Sequence, residues 1–466
     1  MAIIASDRDG SMPSKRVIVV GAGLSGLAAA FTLQQAGFKV LVLERLNRPG
    51  GRVQTVRKQA YVIDTGPDAM TLGYREYLSL IDALDLRDRI VLSSPVMGVM
   101  RGDSIHDIDP RRPFTAAFTQ ALSWRGKLGL VAGAMKLRPR LQGIDSFELV
   151  ESADREDPTS NAWDYSQSLF GAESTAYLID PAIRLTTGSG ARESSMLGVL
   201  GALANWTAPM INLKGGLDVL PRAIAERVPI IYGAEVTRVV DTATGATIEY
   251  RDAQNLTHTE EGDYCVIGAM YDVGCRIWEP LANLAPDFGP RLKSVKLISV
   301  SLGYNALCRS KAYAIAIPSR EYPDLLLGFL QHNKAPDRAP PGCSLITFYT
   351  DTLAFDVYAE KTDAEIEAWA AGHAETLFPE LKGHREICEV TRWPKAGYLA
   401  TPGFWQRSRG LLRALPDQTR VQLAGDLFGA GSMESAVRWG KRAADRIIAN
   451  VAQQDAIILG GDAPDL

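Results

Sequence analysis

Residues 17–52, VIVVGAGLSGLAAAFTLQQAGFKVLVLERLNRPGGR, decide the fold of this chain. The stretch begins with a short apolar run, residues 17–20, of the kind that forms a strand buried on both faces. Good helix formers without proline follow in residues 27–36, and residues 39–43 have the composition of a second buried strand. This order of strand, turn, helix and strand predicts a βαβ unit at the start of an α/β fold.

Three glycines in the turn have the spacing G-x-G-x-x-G. Gly21 allows a tight turn, Gly23 lets a pyrophosphate approach the backbone, and Gly26 lets the helix pack close to the strand. Leu24 and Ser25 lie in this turn and are predicted to contact the cofactor, and the N-terminus of the following helix offers unpaired N–H groups and a partial positive charge to an anion. The turn is therefore predicted to hold the pyrophosphate of a dinucleotide.

Glu44 ends the second strand, 23 residues after Gly21, and Arg45 follows it. A carboxylate at this place accepts hydrogen bonds from both hydroxyls of an adenosine ribose and repels a 2′-phosphate. The sequence thus predicts FAD or NAD rather than NADP. The alternative is a glycine-rich turn before a packed helix, with Glu44 as a solvated strand end.

Length and composition describe an ordinary globular protein. The chain has 466 residues, enough for two or three domains, with 46% hydrophobic and 22% charged residues. Its net charge of −4 offers no bulk field that would attract nucleic acid. No run of 18 apolar residues occurs, so no membrane span is expected, and residues 1–14 lack the apolar core of a signal peptide.

Cysteine and histidine usage narrows the chemistry. The five cysteines are scattered without a C-x-x-C pair, which argues for a reducing, cytoplasmic compartment and against a disulfide framework. The five histidines are equally dispersed, and no pair of them has metal-ligand spacing. We therefore expect no metal site.

A second strand–turn–helix unit lies in residues 420–447. Gly425 and Asp426 end an apolar strand, two further glycines keep the turn open, and a helix begins at Met433, with Ala436 on a close-packing face. The start of that helix is a second site for an anion or a dipole. In a flavoprotein, Asp426 would contact ribityl hydroxyls or the pyrophosphate region. The alternative is a capped C-terminal helix with Asp426 as a turn residue.

The two ends of the chain are predicted to form one domain of an α/β, two-domain protein. A Rossmann-like domain that binds the dinucleotide, FAD or NAD, comprises residues 15–75, 212–275 and 391–452. A substrate domain is inserted into it, with a helical part in residues 76–211 and a mixed sheet in residues 276–390.

Residues 113–141 are apolar with interleaved basic side chains. A basic amphipathic helix of this kind can lie on a membrane surface. The other interpretation, which the sequence favours, is a helix of the substrate domain with a solvated basic edge.

The chain resembles the flavin amine oxidase superfamily, which includes protoporphyrinogen oxidases and phytoene-type desaturases. Besides the opening fingerprint with Glu44, the matching blocks are RPGGR with Gly51 and Arg52, GAEVTRVV with Val236, and AGDLFGAGSMESAVRWGKRAA with Ser432. The resemblance implies non-covalent FAD. It places Arg52 at the pyrophosphate and the backbone of Val236 at the adenine end.

The branch of the superfamily depends on the segment before the last helix. Similar amine oxidases place a tyrosine immediately before Met-Glu, where it helps to form an aromatic cage, but this chain has Ser432. Tyr398 upstream is an alternative aromatic residue and a candidate catalytic residue. The segments DTGP, SVKLISVSLGYN and RWPKAGYLATPG are more similar to those of desaturases and protoporphyrinogen oxidases.

Lys296 interrupts an apolar strand and is a candidate catalytic residue. Several amine oxidases carry a lysine on this strand that holds a water near the reactive nitrogen of the flavin. The alternative is a lysine in solvent, because a shift of one residue places the side chain on the opposite face.

The resemblance implies hydride transfer from a substrate C–H to FAD, leaving C=C or C=N, with O2 or another acceptor reoxidising the flavin. The expected substrate is a small hydrophobic or aromatic molecule in a pocket lined by Trp393, Tyr398, Trp405 and Met433. An amine oxidase, a flavin-dependent isomerase without net redox, and a binding protein that has lost its chemistry remain alternatives. Peripheral membrane contact and a homodimer also stay open.

Overall fold

A computed structural model describes residues 15–109, 111–204, 208–416 and 419–458. One domain is built on a five-stranded parallel sheet with the strand order β10-β2-β1-β14-β20. Its strands are β1 (Arg16–Val20), β2 (Lys39–Glu44), β10 (Ile230–Tyr232), β14 (Tyr264–Ile267) and β20 (Val421–Leu423). The sheet draws on three separate parts of the chain and confirms the predicted Rossmann-like α/β fold.

Helix packing on this sheet follows from small residues. Helix α1 (Leu24–Gln35) begins directly after the glycine turn, and a Cβ on Gly26 would collide with the carbonyl oxygen of Gly21. The long helix α15 (Met433–Ile458) packs against α1, and a Cβ on Gly440 would collide with the carbonyl oxygen of Ser25. Glycine at these places lets the two helices lie close to the sheet and to each other.

Smaller elements complete this domain. An antiparallel hairpin and a three-stranded antiparallel sheet flank the parallel sheet, together with short helices. These are β3 (Thr55–Lys58) with β4 (Tyr61–Asp64), β11 (Glu235–Asp241) with β12 (Ala246–Arg251) and β13 (Thr257–Gly262), and helices α9 (Val219–Ala225), α10 (Tyr271–Ile277) and α11 (Glu279–Leu284).

A seven-stranded mixed sheet with the order β19-β15-β18-β17-β16-β7-β8 forms the second layer. Its one parallel pair is β16 with β7, and α12 (Phe355–Ala359) and α13 (Asp363–Leu377) pack beside it. The strands are β7 (Met97–Arg101), β8 (Ser104–Ile108), β15 (Lys293–Tyr304), β16 (Ala314–Ala316), β17 (Leu325–Leu330), β18 (Ser344–Thr350) and β19 (Arg385–Leu399). Strands β7 and β8 lie within the part predicted to be helical, and β19 crosses the predicted boundary at residue 390.

Helices and one small sheet make up the remainder. The sheet has the order β5-β9-β6, from β5 (Met70–Thr71), β9 (Met210–Leu213) and β6 (Ile90–Leu92). The helices are α2 (Arg75–Ala83), α3 (Pro113–Phe118), α4 (Trp124–Leu137), α5 (Ala162–Phe170), α6 (Ala172–Ser174), α7 (Asp180–Thr187), α8 (Leu197–Ala204) and α14 (Phe404–Ala414). Within the described ranges, no helix has the length and apolar character needed to cross a membrane.

Candidate flavin and substrate site

A cavity of about 1280 Å³ extends from the carboxyl ends of β1 and β2 to strands β17 and β18 of the second sheet. Pockets for single small molecules typically measure about 300–1000 Å³, so this space can take a dinucleotide and a substrate together. Nearly all residues singled out in the sequence line it: Gly21, Gly23, Leu24, Ser25, Glu44, Arg45, Gly51, Arg52, Val236, Trp393, Tyr398, Trp405, Gly425, Asp426, Ser432, Met433 and Ala436. Gly26 lies beneath the turn, in the contact between α1 and β1.

The dinucleotide end of the cavity has room beside Gly23. A Cβ built on Gly23 meets no atom within 4 Å, so the space in front of it is free for a ligand. Gly23 also forms a parallel bridge with Gly50, which brings the RPGGR segment beside the turn. The backbone is thus shaped for the close approach of a pyrophosphate.

Glu44 is buried at the edge of this cradle. Its Oε2 accepts a hydrogen bond from the Ala22 N–H at 2.6 Å, and its Oε1 accepts one from the Leu46 N–H at 2.8 Å. A carboxylate has about four acceptor sites, so both oxygens retain capacity for ribose hydroxyls. Glu44 therefore stabilises the turn and presents negative charge to the cavity.

Arg52 and Asp426 pair across the middle of the cavity. Nη1 and Nη2 of Arg52 donate to the Asp426 carboxylate at 2.9 Å, and Nη1 also donates to the carbonyl oxygen of Ala396. Desolvation works against the charge of Arg52, but the neighbouring carboxylate outweighs it and raises the pKa of Arg52. The pair joins the first motif of the chain to the last, and both side chains line the space where the pyrophosphate and ribityl groups are expected.

The start of α15 is fixed by side chains of its own first turn. The Ser435 N–H donates to Oγ of Ser432 at 3.1 Å, as in an N-cap, and the buried carboxylate of Glu434 accepts from the N–H groups of Glu76 and Tyr77 at the start of α2. Met433 and Ala436 face the cavity from the same turn. The positive end of the helix dipole therefore points into the cavity.

Strand β19 and the segment after it contribute aromatic residues. Nε1 of Trp393 donates to the carbonyl oxygen of Thr65 at 2.7 Å, and the hydroxyl of Tyr398 accepts from the Tyr271 N–H at 2.6 Å. Burial raises the pKa of Tyr398, so its phenol stays neutral. Trp405 is buried edge-on against Phe404, with ring centres 4.9 Å apart.

The structure corrects the assignment of Lys296. Its Nζ pairs with the exposed carboxylate of Asp356 at 2.9 Å, and its side chain does not line the cavity. The neighbours Val295 and Leu297 line the cavity instead. Successive side chains of a strand point to opposite faces, so Lys296 lies on the outer face of β15.

A buried polar network that the sequence did not indicate lies at the substrate end. Asp68 forms an ion pair with Lys334, and its Oδ2 accepts hydrogen bonds from Nε2 of Gln331 at 2.7 Å and from the hydroxyl of Tyr349 at 2.6 Å. All four side chains are buried, and Asp68 and Tyr349 line the cavity. The partners of Asp68 lie more than 260 residues away along the chain, so only the fold joins them.

Burial sets the charge state of this network. Desolvation lowers the pKa of Lys334, although Asp68 and Asp64 oppose the shift. Desolvation, followed by the charge of Asp68, raises the pKa of Tyr349 well above its usual range, so Tyr349 remains a neutral hydrogen-bond donor. A second buried ion pair, Asp64 with Arg338 at 2.7 Å, begins four residues before Asp68 in the chain.

Apart from this network, the substrate end is largely apolar. Its walls come from both the helical part and the mixed sheet, and they include Met97, Ala182, Leu185, Leu326, Leu327 and Phe329. None of the five cysteines is among the lining residues. The cavity therefore offers no thiol for covalent attachment of a flavin.

Comparison with known proteins identifies the class of protein. Residues 24–448 match the family model of flavin containing amine oxidoreductases. The match covers most of the chain, so the chain belongs to this family.

Several relatives within the family are similar to the chain over part of its length. Protoporphyrinogen oxidase 2 of Arabidopsis thaliana is 32% identical over 41% of this chain, which corresponds to 36% of that protein. The L-amino-acid oxidase of Crotalus adamanteus is 25% identical over 60% of this chain and 55% of that protein. The matched regions thus span between a third and just over half of these relatives.

Among solved structures, a triple mutant of putrescine oxidase has a TM-score of 0.74 at 18% identity, covering 94% of this chain and 99% of that one. This likeness confirms the fold. The family match confirms the predicted cofactor, FAD, and the predicted class, a flavoprotein oxidoreductase.

Proposed function

We propose that the chain takes a hydride from a C–H of a neutral, largely apolar small molecule and leaves a C=C or C=N bond. The observation that carries this proposal is one continuous cavity that joins a dinucleotide cradle to an apolar chamber. Bound FAD supplies the acceptor for the hydride. O2 or another oxidant then takes the electrons from the reduced protein.

The residues around the cavity have distinct roles in this proposal. Arg52, Asp426 and the start of α15 hold the central and flavin ends of the cofactor, and the positive end of the α15 dipole favours the charge that builds up on reduction. The apolar walls exclude water and hold the reacting carbon in place. Tyr398 and Trp393 supply rings beside the expected flavin position.

The charge balance of the substrate end favours carbon–carbon oxidation over amine oxidation. An uncompensated carboxylate would favour an ammonium group, but Asp68 is already paired with Lys334 and hydrogen bonded by Gln331 and Tyr349. Ser432 occupies the place of the cage tyrosine, and its hydroxyl is engaged in capping α15. We therefore place the chain in the branch of protoporphyrinogen oxidases and desaturases.

Amine or amino acid oxidation is the second candidate. The similarity to L-amino-acid oxidases extends over a larger share of the chain than the similarity to protoporphyrinogen oxidase. A non-redox isomerase on the same flavin is a third candidate. A homodimer is compatible with each of them.

The test is anaerobic mixing of the purified protein with a porphyrinogen, a polyene and a panel of amines, with the flavin followed by its visible absorbance. We expect bleaching by a porphyrinogen or a polyene and none by amines. Bleaching by amines alone would replace this proposal with the second candidate. A product isomerised without bleaching would replace it with the third.

Gly23→Ala provides the control for cofactor binding. The added methyl meets no protein atom within 4 Å, so the fold should persist. The methyl occupies the space through which the pyrophosphate would approach Gly23, so we expect the variant to be purified with little or no flavin. A fully yellow Gly23→Ala protein would contradict the placement of the cofactor.

A further inference from the structure

Helix α4 packs with its smallest residues inward. A Cβ on Gly129 or Gly133 would collide with Phe170 of α5, and one on Gly126 would lie 2.6 Å from the Glu173 carboxylate. The helix is thus held against α5 and α6 by a row of glycines. Leu137 is buried and Leu130 packs against the core, but the other large apolar side chains of the helix point the other way.

The outward row of α4 is apolar. It consists of Trp124, Leu128, Val131 and Met135, whose spacing of three and four residues places them on one face. Their exposed fractions are 58–73%, and Phe114 and Phe118 of the adjoining α3 are 57% and 81% exposed. We call these six side chains the α3–α4 surface.

This concentration is unusual for the molecule. The described part of the chain has thirteen large, exposed apolar side chains, and six of them fall within residues 114–135. Isolated exposed apolar residues need no explanation, but a contiguous group marks a contact surface. The solvated basic edge favoured from the sequence does not account for this apolar row.

Charge indicates what the surface contacts. Residues 111–141 contain seven lysines and arginines and no acidic residue, in a chain whose net charge is −4. Arg125, Lys136 and Arg138 are exposed beside the apolar row. A two-fold contact between copies would bring two such basic surfaces together, which is unfavourable. An anionic surface is complementary.

We propose that the α3–α4 surface docks on an anionic lipid bilayer. The apolar row enters the boundary between headgroups and acyl chains, and the flanking basic side chains contact lipid phosphates. Arg111, two residues before α3, is exposed and lines the large cavity, so the cavity reaches the protein surface beside this face. The docking itself does not depend on the proposed reaction.

The test is flotation of the FAD-loaded protein with vesicles of phosphatidylcholine, with and without phosphatidylglycerol. We expect the wild type to float with the vesicles that contain phosphatidylglycerol and to be released as salt is raised. Leu128→Glu with Val131→Glu should weaken vesicle binding at least roughly tenfold, because two charges would enter the apolar boundary. The flavin spectrum and the thermal midpoint should stay those of the wild type.

Leu353→Glu with Val357→Glu is the matched control. It changes the same two residue types, which are 70% and 65% exposed, at another place on the surface. We expect this variant to float like the wild type.

The proposal is overturned if the wild type does not bind either vesicle, or if the control loses binding equally. It is also overturned if the wild type is a dimer that Leu128→Glu with Val131→Glu converts to a monomer without any vesicle binding, since the surface would then join two copies. Flavin bleaching, which tests the proposed reaction, is measured independently of vesicle binding, so failure of one proposal can be distinguished from failure of the other.

Discussion

Asp68 shows how burial changes the consequence of losing one partner of an ion pair. The side chains of Asp68 and Lys334 are 3% and 2% exposed, whereas those of Asp356 and Lys296 are 78% and 38% exposed. Asp68→Asn would leave the Lys334 ammonium without its counter-charge, at a cost of about 3–5 kcal/mol. Asp356→Asn should cost less than about 1 kcal/mol. Urea unfolding of the two variants measures the difference.

The comparison has a clear contrary outcome. Equal losses of unfolding free energy in the two variants would mean that the Asp68 carboxylate is solvated or that Lys334 finds another anion. Lys334→Met with Asp68→Asn removes both charges and should recover part of the loss, because the cost lies in the unpaired charge.

At the residue scale, the sequence predicted the residues whose roles follow from local spacing. Gly21, Gly23 and Glu44 lie within one βαβ unit, so their spacing alone brings them to one cavity. The sequence did not indicate the partnership of Asp68 with Lys334, which only the fold joins. The prediction for Lys296 was wrong for a different reason. Successive side chains of a strand point to opposite faces, and with apolar residues on both sides of Lys296 the sequence does not indicate which of them face the cavity.

At the scale of elements, the contact of α1 with α15 tests whether small residues set the cofactor cradle. Gly440→Ala would force its methyl against the backbone of Ser25, which we expect to destabilise the protein by about 1–3 kcal/mol. It would also shift the start of α1 and weaken FAD binding. Gly372→Ala in α13 meets no atom within 4 Å and should stabilise by about 0.5–1 kcal/mol.

Thermal unfolding and flavin titration of both variants check this prediction. A gain in stability from Gly440→Ala would show that the two helices are not in the close contact described here. A loss of stability in Gly440→Ala without weaker FAD binding would show that the packing of α15 against α1 does not determine the shape of the glycine turn.

Element prediction succeeded where hydrophobic runs and glycines gave a clear local pattern, and it did not recover the strands of the mixed sheet before residue 109. Strand β1, helix α1 and strand β2 were predicted because hydrophobic runs and glycines follow one another within a short stretch. Strands β7 and β8 were missed in the part taken as helical, although they form a local hairpin with each other. The place of that hairpin in the mixed sheet depends on the pairing of β7 with β16, over 200 residues away. The orientation of α4 was also not predicted, because its buried face is lined by glycines rather than by the large apolar side chains that normally indicate a buried face.

At the scale of the whole molecule, contacts between residues far apart in the sequence hold the walls of the cavity together. Arg52 near the start of the chain pairs with Asp426 near its end, and Glu434 of α15 holds the backbone at the start of α2. The cavity walls come from both sheets and from the helical part. Cofactor binding should therefore stabilise the molecule as a unit, by mass action on the folded state.

The seven-stranded part of the molecule should be sensitive to acid through two partly buried histidines, His332 and His373. Nδ1 of His332 accepts a hydrogen bond from the Leu345 N–H at 3.2 Å, and His373 packs among the rings of Phe348 and Trp369. Burial lowers the pKa of both imidazoles in the folded state. Both are therefore neutral in the folded protein at a pH where the unfolded chain already binds protons.

The sign of the effect follows from this difference in bound protons. The stabilising contribution is complete above the unfolded pKa of about 6.5 and is lost as the pH falls from there through the lowered folded pKa values. Each histidine can contribute up to about 1.4 kcal/mol per pH unit in that window.

His332→Gln keeps an acceptor for Leu345, and His373→Phe keeps a ring in the aromatic cluster. We expect the unfolding free energy of the wild type to fall more steeply than that of this double variant between about pH 7 and pH 5, measured by urea unfolding at each pH. Parallel pH profiles would show that both imidazoles are protonated in the folded protein, because only a proton uptake confined to the unfolded chain produces the difference in slope.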